Sequence, residues 1–248
     1  MTVANREQFD GLLNFRKPTG ITSAKALYKV RAVTQIRKSG HAGTLDPAAD
    51  GVLLLCMGKG TKRVERLMNL PKVYHALGRL DVTSPSLDSD SPHEAVEILE
   101  IPSRDEVIQA AAHLQGVREQ IPPAVSAVKV AGVRSYKLAR QGRPVTLKPK
   151  AVRIDRLEIL RYEWPEIEFD VTCGRGTYIR AIIRDLGSAL GTGGCLTQLT
   201  RTAVGPFTIE QATSLEDLQQ GLFEQRRVAL AQLDHLLDEY APHPTPEV

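Results

Sequence analysis

Residues 40–51 read GHAGTLDPAADG. Glycines at 40, 43 and 51 punctuate a segment whose Asp46 stands directly before Pro47. Proline disfavours helical backbone in the residue before it, so Asp46 is expected on a stiff turn. Such a loop can present one carboxylate rigidly into a cleft. Taken alone, Leu-Asp-Pro is more often a plain turn or a helix cap. Upstream, GLLNFRKPTGITSAKAL (11–27) reads as a short strand, a Pro-Gly turn and a helix. Thr22 or Ser23 caps that helix, and Leu27 and Val30 give it an apolar face. Residues 39–51 read as a loop. Downstream, VLLLCM (52–57) reads as a buried strand, TKRVERLMNL (61–70) as a short helix and VYHALGRL (73–80) as another strand.

Farther out, Asp81–Pro92 is rich in Ser, Asp and Pro and is expected to be an exposed loop. Ser103 and Glu106 form a capping-box pattern before a helix that ends near Gly116. AVKVAGVRSY (127–136) reads as a hairpin turning at Ala131-Gly132, and YKLARQG (136–142) as a short basic helix. EIEFDVTC (166–173) alternates, with Ile167, Phe169, Val171 and Cys173 on one face of a half-buried strand. GRGT then turns into a helix over YIRAIIRDLGSAL (178–190). Ser214 and Asp217 begin another capped helix, and VALAQLDHLLDEY (228–240) is amphipathic through Val228, Leu233, Leu236, Leu237 and Tyr240. The tail from 241 is expected to fray. Strands and helices mix irregularly, which predicts one mixed α/β (α+β) domain.

The chain of 248 residues is 42% hydrophobic and 25% charged, which excludes a disordered polymer. No apolar run approaches the ~20 residues of a membrane-spanning helix, and the first ten residues lack the apolar stretch of a signal peptide. Cys56, Cys173 and Cys195 are odd in number and scattered, which fits a reducing cytoplasm better than a disulfide framework. The net charge of +3 conceals four blocks: +9 over 1–80, −7 over 81–120, +6 over 121–180 and −5 over 181–248. Basic blocks brought together by folding suit a polyanion, although charge alone favours ordinary solvated faces.

Several motifs fail on inspection. GKGTK (58–62) lacks the glycine spacing of a phosphate loop. GRGTYI (174–179) has Ile179 where a dinucleotide fingerprint needs a small residue. No G-x-S-x-G elbow and no zinc-spaced Cys/His pair occurs, and His113 and His235 sit in plain helical patterns. The expectation is an activity without cofactor or metal.

The surroundings of Asp46 resemble the TruB-type tRNA pseudouridine synthases. The resemblance spans about Gly11 to Phe207 and rests on NFRKPTGITS (14–23), GHAGTLDPAADG (40–51), IPPAVSAVKVAGVRSYKLARQGR (121–143) and CGRGTYIRAIIRDLG (173–187) in the family's order. A fifth block, LTRTAVGPF (199–207), is weaker. The resemblance implies a pseudouridine-synthase-like fold, with a central, mostly antiparallel sheet flanked by helices beside an active-site cleft. It implies a catalytic domain over 10–210 with an inserted basic arm over 118–150, then a short helical extension over 211–248. Asp46 matches the family's essential aspartate, Tyr74 the aromatic that stacks on the target base, and Arg180 the arginine that pairs with the aspartate. Tyr178 matches a pocket residue and His41 a histidine near the site of base extrusion. Lys17, in the Lys-Pro turn, joins the substrate-binding set, although a structural role is favoured there. Lys129, Arg140 and Arg201 complete that set.

The implied activity is conversion of the T-loop uridine of tRNA, position 55, to pseudouridine. The glycosidic bond breaks, the base rotates, and C5 bonds to the sugar. The expected partner is the T arm of tRNA, with no guide RNA, no membrane and a monomeric chain. Asp46 is expected to act ionised, as a nucleophile or as a base toward a sugar proton, with Arg180 keeping it charged.

The chain departs from the family in three ways. Too few residues follow Phe207 for a full RNA-binding domain of the PUA type. The segment after Arg79 lacks the usual Gly and Thr-Asp pattern. Asp50 replaces a common Thr and puts a second carboxylate near Asp46. A rival of another class is a tRNA-binding folding factor with secondary or lost catalysis. A guide-RNA-dependent synthase and a glycoside hydrolase, which would usually need two placed carboxylates, fit less well.

Overall fold

A computed structural model describes residues 9–126, 128–130, 132–135, 138, 141 and 146–240. The fold is mixed α/β with mostly antiparallel strands, in two compact units. The first holds residues 9–74 and 200–240, the second residues 75–199. Strands β4 (Lys72–Arg79) and β12 (Cys195–Val204) contribute residues to both.

In the first unit, β1 (Gly11–Lys17) runs antiparallel to β3 (Asp50–Met57) through seven residue pairs, Gly11–Met57 to Lys17–Gly51. Between them come helix α1 (Ser23–Thr34) and β2 (Ser39–Ala42). The side chain of Thr22 caps α1 by accepting from Lys25 N. The first part of the expected loop is therefore a strand: β2 pairs antiparallel with β3 because the chain doubles back through Asp46. A 3₁₀ helix (Gly58–Arg63) and α2 (Val64–Asn69) follow β3. β3 is buried along almost its whole length, as its apolar run requires.

The C-terminal segment belongs to this unit. It contains the short strand β13 (Phe207–Thr208), helices α5 (Leu215–Gln219) and α6 (Phe223–Arg226), β14 (Arg227–Ala229) and α7 (Leu230–Glu239). Ser214 and Asp217 form the expected capping box on α5. Val228, expected on the last helix, instead pairs with Leu12 of β1, and the helix begins at Leu230. Leu233 and Leu237 enter the core with Leu12, Leu54 and Phe207. Arg63 grips Asp234 with two nitrogens, fixing α7 against the 3₁₀ segment.

The second unit orders its strands β12-β4-β11-β10-β7, with β7 at Gly116–Gln120, β10 at Lys150–Glu163 and β11 at Glu166–Cys173. β11 buries Ile167, Phe169, Val171 and Cys173 and turns its acidic residues outward, as its alternation predicts. Helix α3 (Arg104–His113) opens with the Ser103–Glu106 capping box. Helix α4 (Ile179–Leu190) buries Ile179, Ile182, Ile183 and Leu186 and ends on Gly191 in the left-handed region. Two small pairs complete the unit, β5 (Val82–Thr83) with β6 (Glu94–Ala95) and β8 (Lys129–Val130) with β9 (Val133–Arg134). The pair β8–β9 is the expected hairpin, with Gly132 at a φ of 82° in its turn. The expected basic helix over 136–142 falls largely outside the described residues.

The segment expected to be an exposed loop, 81–92, is corrected over its first half, while Ser89, Asp90 and Pro92 are exposed as expected. Ser84, Ser86, Leu87 and Asp88 are all buried. Ser84 and Ser86 both donate to the carbonyl of Asp88, so these polar side chains satisfy their own turn instead of water. Polar composition marked a turn there but did not fix which way it faces.

Candidate active site

Residues 43–49 have no regular structure, so their carbonyls need donors from elsewhere. Ala49 N donates to Asp46 O at 3.2 Å. The other bonds come from two flanking elements. Ser23 at the start of α1 donates to Leu45 O at 3.0 Å and accepts from Leu45 N at 2.9 Å. Gly20 N donates to Pro47 O at 2.8 Å, and Thr19 Oγ1 to Ala48 O at 2.8 Å. Lys17 Nζ reaches Ile21 O at 2.7 Å, Pro18 O at 2.9 Å and Pro47 O at 3.4 Å. From β12, Arg201 Nη2 donates to Gly43 O at 3.1 Å. Asp46, half-buried, thus sits at the centre of a cross-pinned loop. The backbone of the expected Asp-Pro turn is thus braced from both sides.

Lys17 and Arg201 are buried to 0% and 1% exposure. Their nitrogens donate to backbone carbonyls of the loop and of the segments beside it. His41 on β2 is half-buried, and its Nδ1 is buried. Burial first, then the charge of Arg201, holds its pKa below the ordinary histidine value of 6.5, so the ring is neutral at neutral pH. Asp50, the second carboxylate, accepts from Thr200 Oγ1 at 2.6 Å. Tyr74 lies on the buried face of β4 with 9% exposure.

Arg180 and Tyr178 belong to the second unit. Tyr178 is the N-cap of α4, and its backbone N and O are both held by the amide of Gln120. Arg180, two residues on, is 3% exposed. Its Nη1 donates to Ser86 O at 2.7 Å, and its Nε lies 3.5 Å from Asp88 Oδ2. Leu87, between those two residues, adopts a φ of 61°, uncommon without glycine. Its carbonyl accepts from Leu196 N of β12 at 3.0 Å. The buried turn 84–88 is therefore a socket for the arginine.

Comparison with known proteins gives the arrangement a family. A model described as TruB family pseudouridylate synthase, N-terminal domain, matches residues 31–179. The chain belongs to the TruB family of pseudouridylate synthases. A further model, tRNA pseudouridylate synthase B C-terminal domain, matches residues 180–240. Relatives named tRNA pseudouridine synthase B include one from Phocaeicola vulgatus, 43% identical over 86% of this chain and 94% of its own length. One from Pseudomonas syringae is 41% identical over 87% of this chain and 70% of its own length. One from Mycobacterium tuberculosis is 43% identical over 85% and 72%. Among solved structures, a chain of a Cbf5-Nop10-Gar1 complex is 29% identical with a TM-score of 0.69. The match covers 91% of this chain and 58% of that one.

The structural roles of two residues escape a reading of the sequence. Ser23 reads there as no more than a helix cap, yet its hydroxyl holds the backbone beside Asp46. Asp88 is hidden in a run that reads as solvent-exposed linker. Lys129 lies on β8 with its backbone described, and Arg140 lies outside the described residues. Among those residues, no group of three or more His, Cys, Asp or Glu is placed to hold a metal ion. Among them, too, no helix is long and apolar enough to cross a membrane. A groove of about 760 Å³ between α3 and α4, lined by Glu106, His113 and Asp185 among others, includes none of the predicted site residues.

Proposed function

We propose that this chain isomerises the T-loop uridine of tRNA, position 55, to pseudouridine, with Asp46 as the catalytic carboxylate. The observation that carries the reading is the cross-pinned loop around Asp46 in a member of the TruB family. The relatives' name supplies the substrate class.

In the reaction N1–C1′ breaks, the uracil turns, C5 bonds to C1′, and the C5 hydrogen leaves as a proton while N1 takes one up. Nothing is oxidised and no group is imported, so the reaction calls for no cofactor. Asp46 works ionised, by attack on a carbon or by removal of a sugar proton. We assign Arg180 as the arginine that partners it, from its place in the GTYIR block. Extruding the base costs a few kcal/mol. Stacking on Tyr74 offsets about 1–3 kcal/mol of it. Tyr178 shapes the pocket, and neutral His41 contacts the RNA where the base has left. Lys17 and Arg201 contribute by positioning the loop. Lys129 and Arg140, on the basic arm over 118–150, contact phosphates. We take 10–210 as the catalytic region and 211–248 as a short extension. The chain works as a monomer without a guide RNA. Three free, buried cysteines suit the reducing cytoplasm.

The test is tritium release from a T-arm stem-loop labelled at uridine C5. Release by the wild type and none by Asp46→Asn supports the reading. Tight binding without release, on stem-loop and full-length tRNA alike, overturns it in favour of a folding factor.

A further inference from the structure

We propose that Asp50 is a positioning residue for Asp46, held by Thr200, and that Thr200 and Arg201 together clamp both ends of the catalytic loop. The proposal rests on the reading of Asp46 as the catalytic carboxylate. Asp50 follows Asp46 by four residues and opens β3. Its carboxylate is turned to the neighbouring strand, where Thr200 Oγ1 donates to Oδ1 at 2.6 Å. That distance is at the short end of the range for a hydroxyl donor and an oxygen acceptor.

One residue on, Arg201 spans the loop. Its Nη2 donates to Gly43 O at 3.1 Å and its Nε to Val52 O at 2.7 Å. Two adjacent residues of β12 therefore hold positions 43, 50 and 52, the entry and exit of the segment that carries Asp46. The backbone ladder here is short: β12 pairs with β3 in parallel at Thr200–Asp50 and Arg201–Gly51. The side-chain bonds from the same two residues supplement that short ladder. Gly51, at a φ of 104°, lets the strands touch, because a Cβ there would collide with the Arg201 backbone. Misplacing a reacting group by about 1 Å can cost on the order of a hundredfold in rate. Loosening the exit clamp should therefore slow the chemistry without removing any contact to RNA.

The test measures kcat and KM for tritium release with Thr200→Val, Thr200→Ser, Asp50→Ala and the Val/Ala double variant of the full chain. Thr200→Val is nearly isosteric at a half-buried site, so the fold is kept. Thr200→Val and Asp50→Ala should each lower kcat about tenfold with KM nearly unchanged. Thr200→Ser, which keeps the hydroxyl, should retain the wild-type kcat. The double variant should be no slower than the slower single one, because each change removes the same bond. Losses that multiply, a loss confined to KM, or an unaffected Thr200→Val overturn the proposal. Amide hydrogen exchange over residues 43–49 of the free protein gives a readout independent of turnover. Faster exchange in Thr200→Val and Asp50→Ala than in wild type supports the clamp even if the wild type proves inactive, in which case the functional reading alone falls. Unchanged exchange overturns the clamp.

Discussion

The loop around Asp46 and the turn around Ser86 are both irregular segments that hold a charged group in place, and they do so by opposite means. Residues 43–49 make few bonds of their own and are held from outside by Lys17, Thr19, Ser23 and Arg201. Residues 84–88 are held mainly from within, by serines bonded to the turn's own carbonyl, with one outside bond from Leu196 N to Leu87 O, and in return grip Arg180. The Asp46 loop advertises itself in sequence, because glycine and proline are needed for its path. The Ser86 turn has the composition of solvent-facing linker, because self-satisfied polar groups are the same residues as hydrated ones.

The sharpest way to break this contrast is through the charges each segment presents. Asp46→Asn should lower turnover by about a thousandfold or more while the far-UV dichroism and melting curve stay those of the wild type. A residual rate within about tenfold of wild type would demote Asp46 to a structural residue. Next in size is Asp88→Ala. It removes the carboxylate beside Arg180 Nε, which should destabilise the fold by about 2–3 kcal/mol in a urea titration. A loss under about 0.5 kcal/mol would mean that the turn is a cover and not a socket.

The two serines sharpen the comparison further. Ser23→Ala strips a donor and an acceptor from Leu45 at once and should cost about 2 kcal/mol. Ser86→Ala should cost about 1 kcal/mol or less, since Asp88 O still accepts from Ser84. Equal losses would erase the distinction between outside and inside bracing. The smallest effect concerns His41. Its folded pKa lies below 6.5, so the unfolded chain takes up the proton first as pH falls. The contribution to stability is therefore full above 6.5 and is lost as pH drops through the folded value. His41→Gln should flatten that part of the stability profile, measured by thermal melts from about pH 7.5 downward.

Much of the molecule is legible in the sequence. The alternation of β11, the apolar run of β3 and the two capping boxes encode local physics in adjacent residues, and each element stands where its pattern puts it. Asp46, too, is singled out by its glycine and proline context. Val228 departs from its pattern: its apolar spacing fits a helix, whereas pairing with Leu12 draws it into a strand. The burial of Lys17 and Arg201 is not legible either. Arg201 reads as an RNA-binding cation until the carbonyls that need it come into view, and Lys17, read as structural in its Lys-Pro turn, does not announce how deeply it is buried.

By itself, then, the sequence determined the family, most of the strand and helix inventory and the identity of the candidate carboxylate. Those follow from residue type, short spacing and motif order along the chain. Tertiary structure alone decided which polar side chains face inward. It turned Asp50 toward Thr200, Arg180 into the 84–88 turn and the buried cations onto loop carbonyls. The reason is physical: a buried carbonyl or charge must be satisfied by whatever donor folding brings near, and here that donor stands far away along the chain, as Thr200 does from Asp50 and Arg201 from Gly43.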